Sequence, residues 1–404
     1  MTAPGSLVPE RGYPPADQGL LVVWGLLASA PFGGMTWQVL HHLAGFRRLG
    51  FDVWYVEDAD VIIEPGTLDY ASDPEPNIAF LARWMAEIGL EDRWLFRVRH
   101  LDTGWRGNGG ETEVRRLYAD ADAVFNLCGN RVAAEWEDPL PANLVYLETD
   151  PGDMQIAVAR GDSDAATHLA RHCQRYTYGV NVGAADFPVP IGDLSWLPTR
   201  PPVVADWWRS EDPPTRPFST IAQWRVATKP PLVWEDFRFE WRKDILFERV
   251  IDLPRMTSVP IELALRGARP EERDRLRDHG WNVSSAGELD APDAYREFIR
   301  TSRGEFTIAK DQYTKLRTGW FSDRSVCYLA AGRPVVTQST GFEDHIPTGL
   351  GLFAFDDADG AAAALDAIAA DWSRHAAAAL EIAREHFAHD RVLPGLLAEG
   401  AACG

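Results

Sequence analysis

Apolar and polar positions fall into regular blocks along the chain. Leu20–Leu27 is a continuous apolar run, as a strand buried on both faces requires, and it is followed by Gly33-Gly34. From Thr36 onward Val39, Leu40, Leu43 and Phe46 recur at helical spacing, Gly50 supplies a stop, and Phe51–Val56 reads as a second strand. The alternation continues with a helix near Asn77–Ile88 and strands near Arg93–Val98, Ala123–Leu127 and Leu144–Leu147. Between Pro188 and Phe218 eight prolines erase the periodicity. It restarts with a strand at Phe218–Gln223, a helix at Asp236–Ile251, and then alternating segments down to an alanine-rich helical end from Ala358. Strands separated by helices predict an α/β chain of two doubly wound, Rossmann-like domains facing a central cleft. The boundaries read as a flexible N-terminal arm at 1–18, a first domain at 19–200, a linker at 201–217, a second domain at 218–385 and a C-terminal helical tail at 386–404.

Charge narrows the partners. The 404 residues carry 60 acidic and 40 basic side chains, a net charge of −20, which predicts repulsion of phosphate backbones and leaves nucleic acid out of the expected partners. Four cysteines, Cys128, Cys173, Cys327 and Cys403, lie far apart without a C-x-x-C pair, which argues against a disulfide framework or a structural metal and for a reducing cytoplasm. Leu20–Ala30 has the look of a secretory core, but Glu10, Arg11 and Asp17 precede it in place of a basic flank. No stretch is long enough for an integral membrane segment.

Chemistry concentrates between Lys310 and Glu343. Lys310, Lys315, Arg317 and Arg324 fall within fifteen positions, which also hold Gly319 and, at a predicted helix start, Ser322-Asp323. Unpaired backbone N–H groups and the positive end of a helix make Trp320–Arg324 an anion-site candidate without a metal ion. Ser322 is either the N-cap or a donor to a phosphate oxygen. Plain solvated cations beside a capped helix are the ordinary alternative.

The stretch that follows resembles the second domain of group-1 GT-B glycosyltransferases. The resemblance lies in Ala330-Ala331-Gly332-Arg333-Pro334-Val335-Val336, Thr340-Gly341-Phe342-Glu343 and Gly351-Leu352-Phe353-Ala354-Phe355, and the opening segment Phe46–Val53 is similar to the first domain. It implies a nucleoside-diphosphate sugar as co-substrate and no cofactor, with the acceptor in the first domain; the acidic surface favours a small molecule or peptide in that role, and no catalytic metal is expected. Donor-binding positions implied are Lys310, Gly319, Trp320, Ser322, Asp323, Arg324, Ser325, Gly341 and Glu343, with Arg225 and Lys229 as a second diphosphate anchor. The group-1 enzymes carry two glutamates eight positions apart across this helix start. Here Gly319 and Cys327 stand in those positions, so the usual ribose contact is missing and the stereochemical outcome is left open.

Transfer also needs a proton acceptor. Asp150, at the carboxyl end of the strand Leu144–Leu147, is the first candidate. Gly33 and Gly34 either let a donor or acceptor approach the backbone or merely make a tight turn. The dinucleotide fingerprint is absent, and Asp58-Ala59-Asp60 and Asp120-Ala121-Asp122 are too short to signal a metal. Of the sixteen tryptophans, Trp320 is the one inside the expected phosphate loop. The competing readings are a nucleotide-sugar epimerase of the same fold and a non-catalytic nucleotide-sugar-binding protein.

Overall fold

The computed structural model describes residues 7–101, 104–129, 141–225 and 231–398. The first sheet contains β1 (Leu20–Trp24), β2 (Asp52–Ala59), β3 (Trp94–Val98), β4 (Arg106–Gly107), β5 (Ala123–Leu127), β6 (Leu144–Glu148), β7 (Gln174–Thr177) and β8 (Leu197–Pro198). Their spatial order is β4-β3-β2-β1-β5-β6-β7-β8, with β4 antiparallel to β3 and the other pairs parallel. After β9 (Arg216–Gln223) and a hairpin of β10 (Leu232–Trp234) and β11 (Phe237–Phe239) come β12 (Ile261–Arg266), β13 (Asn282–Ser285), β14 (Ser302–Thr307), β15 (Val335–Gln338) and β16 (Leu352–Phe355). The six long ones form a parallel sheet in the order β13-β12-β9-β14-β15-β16. Strand order therefore reverses between β1 and β5 in one sheet and between β9 and β14 in the other. Loops leaving the carboxyl ends at such points border a crevice.

One apolar core runs through both halves. Leu21, Val23 and Phe125 of the first sheet belong to the same buried cluster as Val326, Leu329 and Val335 of the second half. Trp37 sits at its centre, with ring centroids 5.1 Å from Trp208 and 5.6 Å from Trp84, and its indole N–H donates to Pro292 O at 2.9 Å. The last described helix, His389–Ala398, returns to the first half: a Cβ on Gly45 would stand 2.5 Å from Leu393.

Three local expectations differ from the structure. Residues 7–18 are not a loose arm, since Leu7 is buried, Trp207 donates to its carbonyl at 2.8 Å and Tyr13 donates to Ile88 O at 2.7 Å. The proline-rich stretch also carries β8, and it buries Val203, Val204 and Trp208. Proline removes ladder donors and so hides the periodicity without preventing burial. Within Asp236–Ile251, the first part is strand: Phe237–Phe239 pairs antiparallel with Leu232–Trp234, and helix begins only at Lys243.

Gly33 and Gly34 serve the meeting of the two halves. A Cβ on Gly33 would lie 2.6 Å from Leu289 O and 2.8 Å from Tyr295 Cβ, and one on Gly34 would touch the Tyr295 hydroxyl at 3.5 Å. The expected ligand approach at these glycines is replaced by protein. Gly33→Ala is expected to destabilise the fold by about 1–3 kcal/mol through overpacking, measured by urea unfolding. An unchanged midpoint would show that the seam yields without cost.

Candidate functional site

The carboxyl ends of the two sheets meet at an ion pair. Lys310, three residues beyond β14, reaches across the cleft and donates to both oxygens of Asp150, two residues beyond β6, at 2.9 and 2.7 Å. The same ammonium lies 5.5 Å from the ring centroids of Trp241 and Tyr313. Tyr313 stacks on Trp320 at 4.1 Å, and the Trp320 indole donates to Thr149 O at 2.9 Å, so the expected phosphate loop is tied to the end of β6. Two glycines make the approach possible. Gly319 has φ +74° and would press a Cβ to 2.5 Å from Val180, and Gly341 has φ +91° and would meet Asn181 at 2.7 Å.

Beside this pair stands a second lysine that sequence reasoning missed. Lys243 donates to Ile308 O, and burial together with the positive charges of Arg324 and Lys310 pushes its ammonium down to about 7. No motif marks it, because the β10–β11 hairpin and the turn after it are what carry it to the end of β14.

The other cations turn elsewhere. Arg324 was expected to face a diphosphate, but its Nε donates to Glu305 at 2.6 Å and its two amino groups to Ile221 O and Thr307 Oγ1, each at 2.8 Å. Lys315 donates to Asp311 at 2.8 Å and to Arg238 O, and Arg317 pairs with Asp344 at 3.2 Å. Arg225 binds Glu272, with Asp244 3.6 Å away. Lys229 lies outside the described residues.

The helix Asp323–Ala330 begins at this cleft. Ser322 occupies its N-cap position without a side-chain capping bond, and the Ser325 hydroxyl is buried with no hydrogen-bond partner among the described residues. Asp323 accepts from Gln38 Nε2 of the facing helix Gly33–Arg48 at 3.0 Å. Burial, with the negative charge of Asp150 added, pushes its carboxyl up to about 7. Glu343 accepts from Ser339 Oγ and from Gly341 N, closing its own loop. Cys327, in the place of a family glutamate, packs toward His41 in the core.

Next to Asp150 a cavity of about 760 Å³ is lined by Tyr146, Glu148, Asp153, Met154, Asp164 and His168, among others. Glu148 is buried between Gln155 and Thr177, and burial pushes its carboxyl up to about 8. Asp58 of the first D-x-D string is bound by Arg97 at 2.7 and 2.9 Å. Among the described residues, no group of three or more His, Cys, Asp or Glu is arranged to hold a metal ion, and no helix is long and apolar enough to cross a membrane. Cys128 and Cys327 are free thiols, whereas Cys173 is disulfide-bonded, so the cysteine pattern no longer argues for a reducing compartment.

No protein-family model and no curated protein matches the sequence. Solved structures do resemble it. An alpha-glucosyltransferase in complex with UDP-glucose and DNA containing an abasic site matches with a TM-score of 0.57 at 10% identity, over 95% of this chain and 99% of that one. An alpha-glucosyltransferase in complex with UDP and a 13-mer DNA containing a central A:G mismatch matches with 0.57 at 9% identity, over 95% and 100%. The Anabaena protein HepE in complex with UDP-glucose matches with 0.51 at 12% identity, over 95% and 99%. The DNA in two of these complexes overturns the exclusion of nucleic acid as a partner. Net charge averages the whole surface, whereas a nucleic-acid contact depends on the field of one face. At such identities the likeness is one of fold, and this chain has the two-domain GT-B fold of glycosyltransferases that its motifs implied.

Proposed function

We propose that the protein transfers a sugar from a nucleoside-diphosphate donor, bound mainly by the second domain, to an acceptor lodged against the first. The observation that carries this reading is the Lys310–Asp150 bridge between the carboxyl ends of the two sheets, with Lys243 beside it and a helix N-terminus at Ser322. A departing diphosphate accumulates negative charge, and preorganised cations and N–H groups in a cleft that excludes water stabilise it as it forms. Asp150 holds the Lys310 ammonium in place. In the reaction an acceptor oxygen or nitrogen bonds to the anomeric carbon, the bond from that carbon to the diphosphate breaks, and its electron pair stays on the diphosphate. The charge is met by side chains, so transfer proceeds without a metal. The cavity beside Asp150 supports an acceptor position in the first domain.

Calorimetry with UDP-, GDP- and TDP-linked sugars tests the reading. One donor class is expected to bind saturably, unchanged by EDTA, and to raise folding stability by about 2.7 kcal/mol at a hundredfold excess over Kd. Diphosphate next to Lys243 restores its charge. At pH 8, above its value of about 7, binding is therefore expected to take up a proton, and the heat to vary with the ionisation enthalpy of the buffer. Absence of binding by every donor sinks the proposal. Product analysis then separates transfer from epimerisation: the donor alone is left unchanged, and a panel of DNA duplexes and hydroxylated small molecules identifies the acceptor.

A further inference from the structure

We propose that Asp323, not Asp150, takes the acceptor's proton. The inference rests on the glycosyl-transfer reading above and assigns its base.

The geometry distinguishes the two carboxylates that the domains bring into one cleft. Both oxygens of Asp150 are held by the Lys310 ammonium, so accepting a proton there means breaking an ion pair. Asp323 is held by neutral donors instead of a cation: the Gln38 amide donates to its Oδ2 at 3.0 Å, and its own backbone N–H also donates to the carboxylate. The Gln38 amide is itself oriented from the first domain. Thr149 Oγ1 donates to Cys128 Sγ at 3.3 Å, and Cys128 Sγ donates to Gln38 Oε1 at 3.1 Å. The Gln38 amide group then donates to Asp323, and the Trp320 indole, three residues before Asp323, donates back to Thr149 O. Every donor in this ring points the same way round, so the carboxylate is fixed by both domains at the start of the helix Asp323–Ala330.

The surroundings make Asp323 the group that changes charge near neutrality. Asp150, Cys128 and Tyr178 face it from the first domain and Cys327 from its own helix, with His41 and His42 behind them. Burial pushes the Cys128 thiol up to about 12, raises Cys327 and Tyr178, and lowers both histidines, so these five stay neutral at pH 7. Arg324, the next residue, is turned away onto Glu305. Asp323 itself sits at about 7, where a base combines availability with proton affinity. Two carboxyls whose environments separate their roles are the usual sign of an acid–base assignment. In the step proposed, the acceptor oxygen bonds to the anomeric carbon, its proton passes to the Asp323 carboxylate, and the diphosphate leaves with the electron pair beside Lys310.

The test compares wild type, Asp323→Asn and Asp323→Glu. In wild type, turnover is expected to fall on the acid side with an apparent pKa near 7, and carboxyl ¹³C shifts of the ligand-free protein to show one aspartate titrating there. Asp323→Asn is expected to lose that resonance and that acid limb, with kcat and kcat/KM falling together by about 10²-fold and KM little moved. Asp323→Glu is expected to restore part of the rate. A retained acid limb, an undiminished kcat in the asparagine variant, or no aspartate titrating near neutrality would each overturn the assignment. Failure of wild type to bind any donor is a different result: it sinks glycosyl transfer, and the carboxyl titration, which needs no ligand, reports on Asp323 separately.

Discussion

Replacing Lys310 by alanine is expected to lower turnover by about 10²–10³-fold, the cost of removing one preorganised donor from a site that stabilises developing charge. The ammonium is positioned before any ligand arrives, by two bonds to Asp150 and by the faces of Trp241 and Tyr313. Its charge is therefore delivered without reorganisation. Removing it leaves Asp150 unpaired beside the diphosphate position, so repulsion adds to the lost attraction. Lys310→Arg keeps the charge but substitutes a planar fork for a point donor, and it is expected to recover only part of the rate. Asp150→Asn separates orientation from charge: the ammonium remains without its holder, and the loss is expected to be smaller than for Lys310→Ala. Single-turnover rates with saturating donor measure all three. Wild-type rates in Lys310→Ala would place the leaving-group site elsewhere.

The parts of this site that could be read in advance are those written locally. Alternating apolar runs and helical spacing placed β1, β5, β6 and β9, and through them the crevice to which Asp150 and Lys310 belong. A Gly-x-Pro-Val-Val step and a Ser-Asp pair at a helix start marked the second half of the cleft in the same way. What could not be read depends on partners far away in sequence. Arg324 looks like a phosphate ligand until β14 brings Glu305 against it. Asp323 acquires its raised carboxyl from burial against a helix 285 residues earlier. Gly33 looks like a ligand turn because a missing side chain does not say what fills the space, here Leu289 and Tyr295. Lys243 follows a hairpin whose strands are three residues long, too short to leave a periodic signal. Charge, summed over the whole chain, says least about any single face.

Arg324→Ala is expected to cost about 3–5 kcal/mol of folding stability, the range for stripping one partner from a buried ion pair. The Glu305 side chain is 0% exposed, and Arg324 Nε holds one of its oxygens. Alanine would leave a carboxylate in the interior with neither water nor a cation to solvate it. The same guanidinium also ties the Ile221 carbonyl of β9 to the Thr307 hydroxyl of β14, the two strands between which the second sheet reverses its order. Lysine keeps a charge but cannot span three acceptors, so Arg324→Lys is expected to recover little. Arg324→Leu combined with Glu305→Leu removes both charges and is expected to restore most of the stability. Urea unfolding of the four proteins reads these differences directly. Should Arg324→Ala shift stability by less than about 1 kcal/mol while abolishing donor binding, the arginine would belong to the ligand after all, and the inward geometry would be that of the unliganded cleft alone.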